Sequence, residues 1–210
     1  MSIEQSNSAE GFGPLRFVRE THYPVGESSE PQQDTTLEVI QIPLSGTLAC
    51  EGDTDEAAAL KPGDVQVMSC GTGLSHREFN GSDEQDLRFL EIGMAPNFDN
   101  TTANYRHKFF DPDQKKNTFL VVVSPYGEYG SLCIRQRARL FAGQFDKGNA
   151  TAFDPSYGCQ HYLHVISGEA QVNGQTAKAG VSLAIVDEKS ILVKSLADSE
   201  IIIVEVPVEA

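Results

Sequence analysis

The residues best placed to do chemistry are His76 and Glu78, which close the stretch Pro62 to Asn80, PGDVQVMSCGTGLSHREFN. Pro62-Gly63-Asp64 is a turn signal, and Val65, Val67 and Met68 with Cys70 make a short apolar run that reads as a buried strand. A second turn, Gly71-Thr72-Gly73, precedes the pair. On a strand, residues two apart point to the same face, so an imidazole and a carboxylate converge. Nitrogen and oxygen donors so placed suit a divalent first-row metal. The same spacing also describes a solvated His-Glu pair on a strand face.

Strands have to carry this pair, and the chain supplies them at regular intervals. Leu15 to Tyr23 alternates apolar and polar positions, Leu37 to Leu44 is a second strand, TLACEGD a third, and Leu87 to Met94 another. Pro43 predicts an edge or a bulge in its strand. Residues 1–13 lack periodicity and read as a loose N-terminal arm. Ala95 to Thr118 is polar and breaks the rhythm, so the domain boundary is expected there, with a linker at 111–118. Beyond it the pattern restarts: PLSGTLAC and VISGEAQV are each followed by a glycine-initiated strand and a last apolar strand. The fold class is therefore all-β, two copies of one barrel at 14–110 and 119–210.

Composition removes several functions. A net charge of −14 argues against a nucleic-acid surface and against anionic lipid. The longest apolar runs are far too short to span a bilayer. Cys50, Cys70, Cys133 and Cys159 show no CxxC spacing, and MSIEQSNSAEGFG has no signal-peptide character, so a reducing cytoplasm is expected.

The layout Gly26, Gln32, Asp34, Glu38, Gly46, then Gly73, His76 and Asn80 resembles the cupin pattern. More narrowly, PGDVQVMSCGTGLSHRE resembles the second motif of the pirin family of bicupins, PGDxQxMxAGxGxxHSE, and the likeness runs over about residues 14–206. The resemblance implies two jelly-roll-like barrels and one divalent metal (iron, manganese, nickel, copper or zinc) in the N-terminal barrel. Its ligands would be Gln32, Asp34, His76 and Glu78. It further implies a quercetin 2,3-dioxygenase type of activity, with Glu78 as the base. The family's first motif reads HPHxxxE, so Gln32 and Asp34 replace two imidazoles. An oxygen-rich set favours harder ions and holds iron, copper or nickel less well, so the expectation is weak or lost activity, with or without bound metal. The alternative is a non-enzymatic bicupin that binds a small molecule or acts on a protein partner.

Other polar residues have two readings each. Glu38 is either a support for the site or a solvated edge residue, and His22 either a substitute ligand or an ordinary histidine. His161 and His164 are three apart and face opposite ways on a strand, so they do not chelate one ion. The second half has Lys189 where a ligand would be wanted, and no metal is expected there. Cys70 reads as a small buried hydrophobe.

Overall fold

The computed structural model describes residues 2–6, 8–34, 36–52, 59–71, 74–97 and 102–208. Two compact units emerge, one of residues 14–110 with 132–136, the other of residues 1–13, 111–131 and 137–210. The first strand, β1 (Ser2–Ser6), belongs to the second of these.

The N-terminal unit contains β2 (Leu15–Tyr23), β3 (Gln32–Asp34), β4 (Glu38–Ser45), β5 (Leu48–Gly52), β6 (Asp64–Ser69), β7 (Leu74–Asn80), β8 (Leu87–Met94) and β9 (Asn104–Phe109). They form two sheets, β2-β8-β4-β6-β9 and β3-β7-β5. The apolar residues of β4, β6 and β8 fill the interior, as expected for strands covered on both faces. Residues 95–118, expected to be connection, include β9, which pairs with β6 along its length. The polar composition hides it because four of its six residues are exposed on an edge strand.

The C-terminal unit follows with β10 (Leu120–Ser124), β12 (Arg139–Phe145), β13 (Ala150–Phe153), β14 (Cys159–Ser167), β15 (Glu169–Val172), β16 (Gln175–Lys178), β17 (Ser182–Val186), β18 (Ile191–Ser195) and β19 (Ser199–Pro207); β11 (Leu132–Cys133) lies in the segment that belongs to the N-terminal unit. Within this unit the larger sheet runs β1-β17-β14-β19-β12-β10 and the smaller one β13-β18-β15-β16.

The two topologies superpose strand by strand. The order β2-β8-β4-β6 recurs as β12-β19-β14-β17, and β3-β7-β5 recurs as β13-β18-β15. Even the bulges match: pairing slips between Pro43 and Ser45 in β4 and between Val165 and Ser167 in β14. That slip accommodates Pro43 in a central strand. The place that β9 takes beside β6 is taken beside β17 by β1, with Ile3 opposite Ile185. Residues 1–13 are thus not simply a loose arm. A backbone edge on β17 can be paired whatever the side chains, which is why hydrophobic periodicity does not reveal β1.

Gly46 and Gly168, the glycines of the repeated Ser-Gly turns, have φ of +72° and +81°. A side chain on Gly46 would lie 2.8 Å from the Asp86 carbonyl oxygen, and one on Gly168 would run into the Asp198 carbonyl oxygen. Gly148 has φ +87° but open space around it. Gly46→Ala and Gly168→Ala are therefore expected to lose at least about 2 kcal/mol in urea unfolding, and Gly148→Ala only about 1 kcal/mol. Equal losses at all three positions would refute the close-approach argument.

Candidate functional site

Strand β7 runs between β3 and β5, with Gln32 opposite His76, Asp34 opposite Leu74 and Cys50 opposite Glu78. His76 and Glu78 are both buried on its inner face, their Nε2 and Oε1 atoms 3.6 Å apart. The solvated reading of this pair is excluded. Positions 32 and 34 share the parity of 76 and 78 through the register, while the side chains of Gln32 and Asp34 lie outside the described residues. Ser29 fixes the β7 backbone here: its hydroxyl accepts from Glu78 N at 3.0 Å and its own N–H donates to Glu78 O at 2.8 Å. Asn80 donates to the carbonyls of Tyr23 and Gln85, tying down the end of the strand.

Three further buried polar residues, which sequence reasoning missed, complete the interior. Gln66 Nε2 donates to Gln41 Oε1 at 2.9 Å, and Gln41 Nε2 in turn donates to Glu78 Oε1. Glu91 accepts from Arg19 Nε and from the Thr21 hydroxyl, each at 2.8 Å. Burial pushes the Glu78 carboxyl up, and the Glu91 charge adds to this, while His76 and Gln41 pull the other way. Burial and the Glu78 charge drive the Cys50 thiol up to about 12, so with no cation beside it the thiol stays protonated. Burial, Glu78 and Glu91 likewise raise the Tyr23 phenol. A polar residue at the centre of an apolar strand, as in EVIQIP, DVQVMS and RFLEIG, was the signal available for Gln41, Gln66 and Glu91.

The matching topology turns the other barrel into an internal control. Counting from Gly46 and Gly168, Gln41 corresponds to Leu163. Gln41 pairs with Gln66 and Glu91, and Leu163 pairs with Leu183 and Ile203. Leu48 opposite Asn80 corresponds to Ala170 opposite Ser195, which places Ile191 and Val193 at the positions of His76 and Glu78. All five counterparts, Leu163, Leu183, Ile191, Val193 and Ile203, lie in one apolar core. Lys189 is not the counterpart of a ligand; it sits exposed in the turn before β18. At these five positions the same framework thus carries hydrocarbon in one unit and hydrogen-bonded polar groups in the other, the buried polar pair of the C-terminal barrel, His161 and Glu205, lying two residues along β14 and β19 from them. Because burying polar groups costs stability unless each is satisfied, the polar interior calls for a functional explanation.

The donor set fits a divalent cation. Glu78 Oε2 is buried and accepts no hydrogen bond among the described residues, so an ion beside His76 and Glu78 would meet an acceptor in need of one. Among the described residues no three His, Cys, Asp or Glu side chains converge, and the side chains of Gln32 and Asp34, the other expected ligands, lie outside the described residues. Glu38 is neither solvated nor beside the site. Its buried carboxylate accepts from the Ser69 hydroxyl at 2.8 Å and from Arg135 N at 3.2 Å, holding the returning segment 132–136. His22 is exposed and pairs with Asp86 at 3.2 Å. Cys70 is fully buried with Val39 and Met68.

Residues 8–93 match the model of the pirin family, and residues 121–206 match the quercetinase C-terminal cupin domain. The chain is a pirin-family bicupin. It is 27% identical over 197 residues to a quercetin 2,3-dioxygenase of Escherichia coli, covering 94% of this chain and 84% of that protein. A putative quercetin 2,3-dioxygenase of Pseudomonas aeruginosa is 28% identical over 94% of this chain and 85% of its own length. The crystal structure of YhhW from Escherichia coli matches with a TM-score of 0.89 at 26% identity, over 95% of this chain and 85% of that one. The nickel(II) complex of bacterial pirin YhhW matches at 0.87 and 25%, over 94% and 84%. No helix among the described residues is long and apolar enough to cross a membrane.

His161 and His164 face opposite sides of β14, as their spacing requires: His161 Nε2 lies 3.0 Å from Glu205 Oε2 and His164 Nδ1 lies 2.8 Å from the Ser182 hydroxyl. Burial alone would raise the Glu205 carboxyl, but hydrogen bonds from His161 and from the N–H and hydroxyl of Ser156 outweigh it and hold Glu205 at about 2. A carboxyl depressed below its ordinary 4.5 contributes stability above that value and loses it as the pH falls towards 2. Acid titration of the urea midpoint is expected to lose about 3 kcal/mol through this group across that window. Glu205→Gln should flatten that part of the curve, and an unchanged slope would contradict the assignment.

Proposed function

We propose that this pirin-family bicupin is a metal-dependent flavonol oxygenase of the quercetinase type with low turnover, its site in the N-terminal barrel. The observation that carries this reading is the polar interior around His76 and Glu78 at positions where the other barrel has only hydrocarbon. The quercetin 2,3-dioxygenase relatives and the nickel(II) complex of YhhW support it. His76 and Glu78 would hold the ion, with Gln32 and Asp34 as the remaining ligands that the register permits. When bound, the metal supplies a Lewis-acidic centre for the phenolic oxygens of the substrate.

The chain's own residues do the rest. Glu78, made more basic by burial and by Glu91, is the group that takes the proton of the substrate hydroxyl. Gln66, through Gln41, fixes the Glu78 carboxylate in one orientation, so that it meets the substrate without first reorganising. Buried, protonated Cys50 presents no competing nucleophile. This reading places the chain in the cytoplasm, where Cys50 and Cys70 remain buried thiols. A second reading, a small-molecule-binding or regulatory module acting through a protein partner without turnover, draws on the Gln41 amide, which competes with a cation for Glu78 Oε1.

Elemental analysis of protein purified without chelator, paired with oxygen uptake on a flavonol, tests the proposal. Wild type is expected to hold less than one equivalent of metal, to exchange it readily for manganese, and to turn over slowly. Each missing imidazole weakens the retained ion, so the double variant Gln32→His, Asp34→His should raise metal content and gain about tenfold or more in oxygen uptake. His76→Ala should abolish both. Rapid wild-type turnover, or a double variant that binds metal and still consumes no oxygen, would overturn the reading in favour of a different site or of the module.

A further inference from the structure

Strand β1 ends the larger sheet of the C-terminal unit, and little besides its backbone holds it there. It pairs antiparallel with β17, from Ser2 opposite Val186 to Ser6 opposite Ser182. Its one apolar side chain, Ile3, packs against the core, while Ser2, Glu4 and Gln5 are exposed. β9, which fills the equivalent place beside β6, is held more firmly. Tyr105 belongs to a buried cluster, and Phe110, just past the strand, is buried and donates its N–H to the Gly63 carbonyl at 2.8 Å. We propose that β1 exchanges between two copies of this chain, each docking its β1 on the β17 of the other, so that the β17 margin is a self-association surface.

The residues that follow β1 have anchors of their own. Ala9 is buried, the Phe12 ring meets Tyr162 edge-on at 5.6 Å, and a side chain on Gly13 would lie 3.0 Å from the Pro207 carbonyl oxygen. Residues 9–13 therefore stay seated on β14 and β19 whether or not β1 is paired. Positions 7 and 8 alone separate the two segments, which makes them the hinge. A short hinge of this kind is where strand exchange occurs most readily.

A second copy is the occupant that fits, because every pair lost within one copy is remade between two. Ile3 again meets Ile185 and Glu4 again meets Ala184. Reciprocal exchange leaves both β17 margins covered, as a closed two-fold dimer requires. The strand brings a single charge, Glu4, into the contact, and repulsion between two copies of net charge −14 is screened at physiological salt. From Ala9 to Ser6 the backbone spans at most about 10 Å, so the β17 of one copy would lie beside Ala9 of the other. The surface is independent of His76 and Glu78, which lie in the other unit.

Cross-linking between two variants of the full chain tests this. Glu4 and Ala184 stand opposite each other, at the separation that a disulfide spans. The tether gives β1 an effective concentration on the order of millimolar for its own β17, so at about 100 µM protein roughly a tenth of the chains are exchanged at any moment. Glu4→Cys and Ala184→Cys, made separately, mixed at that concentration and oxidised gently, are expected to accumulate a dimer joined through residues 4 and 184, identified by peptide mass mapping. Replacing either variant by wild type should abolish this product. The double variant Glu4→Cys, Ala184→Cys, oxidised at high dilution, should lock β1 onto its own β17 and then stay monomeric on concentration. The proposal fails if the mixture gives no dimer, or only dimers joined through the half-buried Cys133 or Cys159. A diluted double variant that forms no disulfide within one chain would refute the pairing itself, and the exchange with it.

Discussion

A buried carboxylate with one oxygen that accepts no hydrogen bond among the described residues is the constraint to which the N-terminal barrel answers. Glu78 could not sit there at tolerable cost without Gln41, and Gln41 could not present its amide that way round without Gln66 accepting the task of orienting it. Glu91 sharpens the problem by placing a second negative charge nearby, and Arg19 and Thr21 answer it. The interior is thus a chain of obligations in which each residue is explained by the next, ending at an oxygen atom that accepts no hydrogen bond among the described residues and that a cation, a water or a proton donor would satisfy. In the C-terminal barrel the same positions are filled by leucine, isoleucine and valine, which need no partners and pack as an ordinary core. One framework has been given two interiors, one packed with hydrocarbon at these positions and one held by hydrogen bonds.

The sequence made much of this legible because both barrels are built from alternating strands and glycine turns, signals that are local. The boundaries of β2 and β8 follow from alternation and from the apolar runs alone, and His76 and Glu78 stand out by residue type and spacing. What stayed hidden is what depends on a distant partner. β1 and β9 are edge strands with little apolar content, stabilised by backbone pairing to β17 and β6, and no window of sequence around them contains that partner. The excursion of residues 132–136 into the N-terminal unit was equally invisible, since its anchor is the Glu38 carboxylate nearly a hundred residues earlier in the chain. Glu38 had two readings from sequence, and both missed the role it has, because neither could know that a backbone N–H would arrive there.

The repeat also explains why lining up the two halves by eye misleads. Matching the turn residues puts Lys189 against a ligand position, whereas matching strand register from Gly46 and Gly168 puts Ile191 and Val193 there. In a sheet a shift of one residue moves every side chain to the other face, so register and not local similarity decides which residues are equivalent.

The N-terminal strand β1 has a further bearing on how the chain comes to be folded. It is synthesised some 180 residues ahead of β17, the strand whose edge it covers. The segment must wait, unpaired, through the making of an entire barrel before its hydrogen-bonding partner exists, which is a long-range contact of the slowest kind to form. Until it docks, the newly finished C-terminal sheet presents a naked row of peptide groups to any neighbouring chain, and a C-terminal half expressed alone would keep that sticky margin permanently.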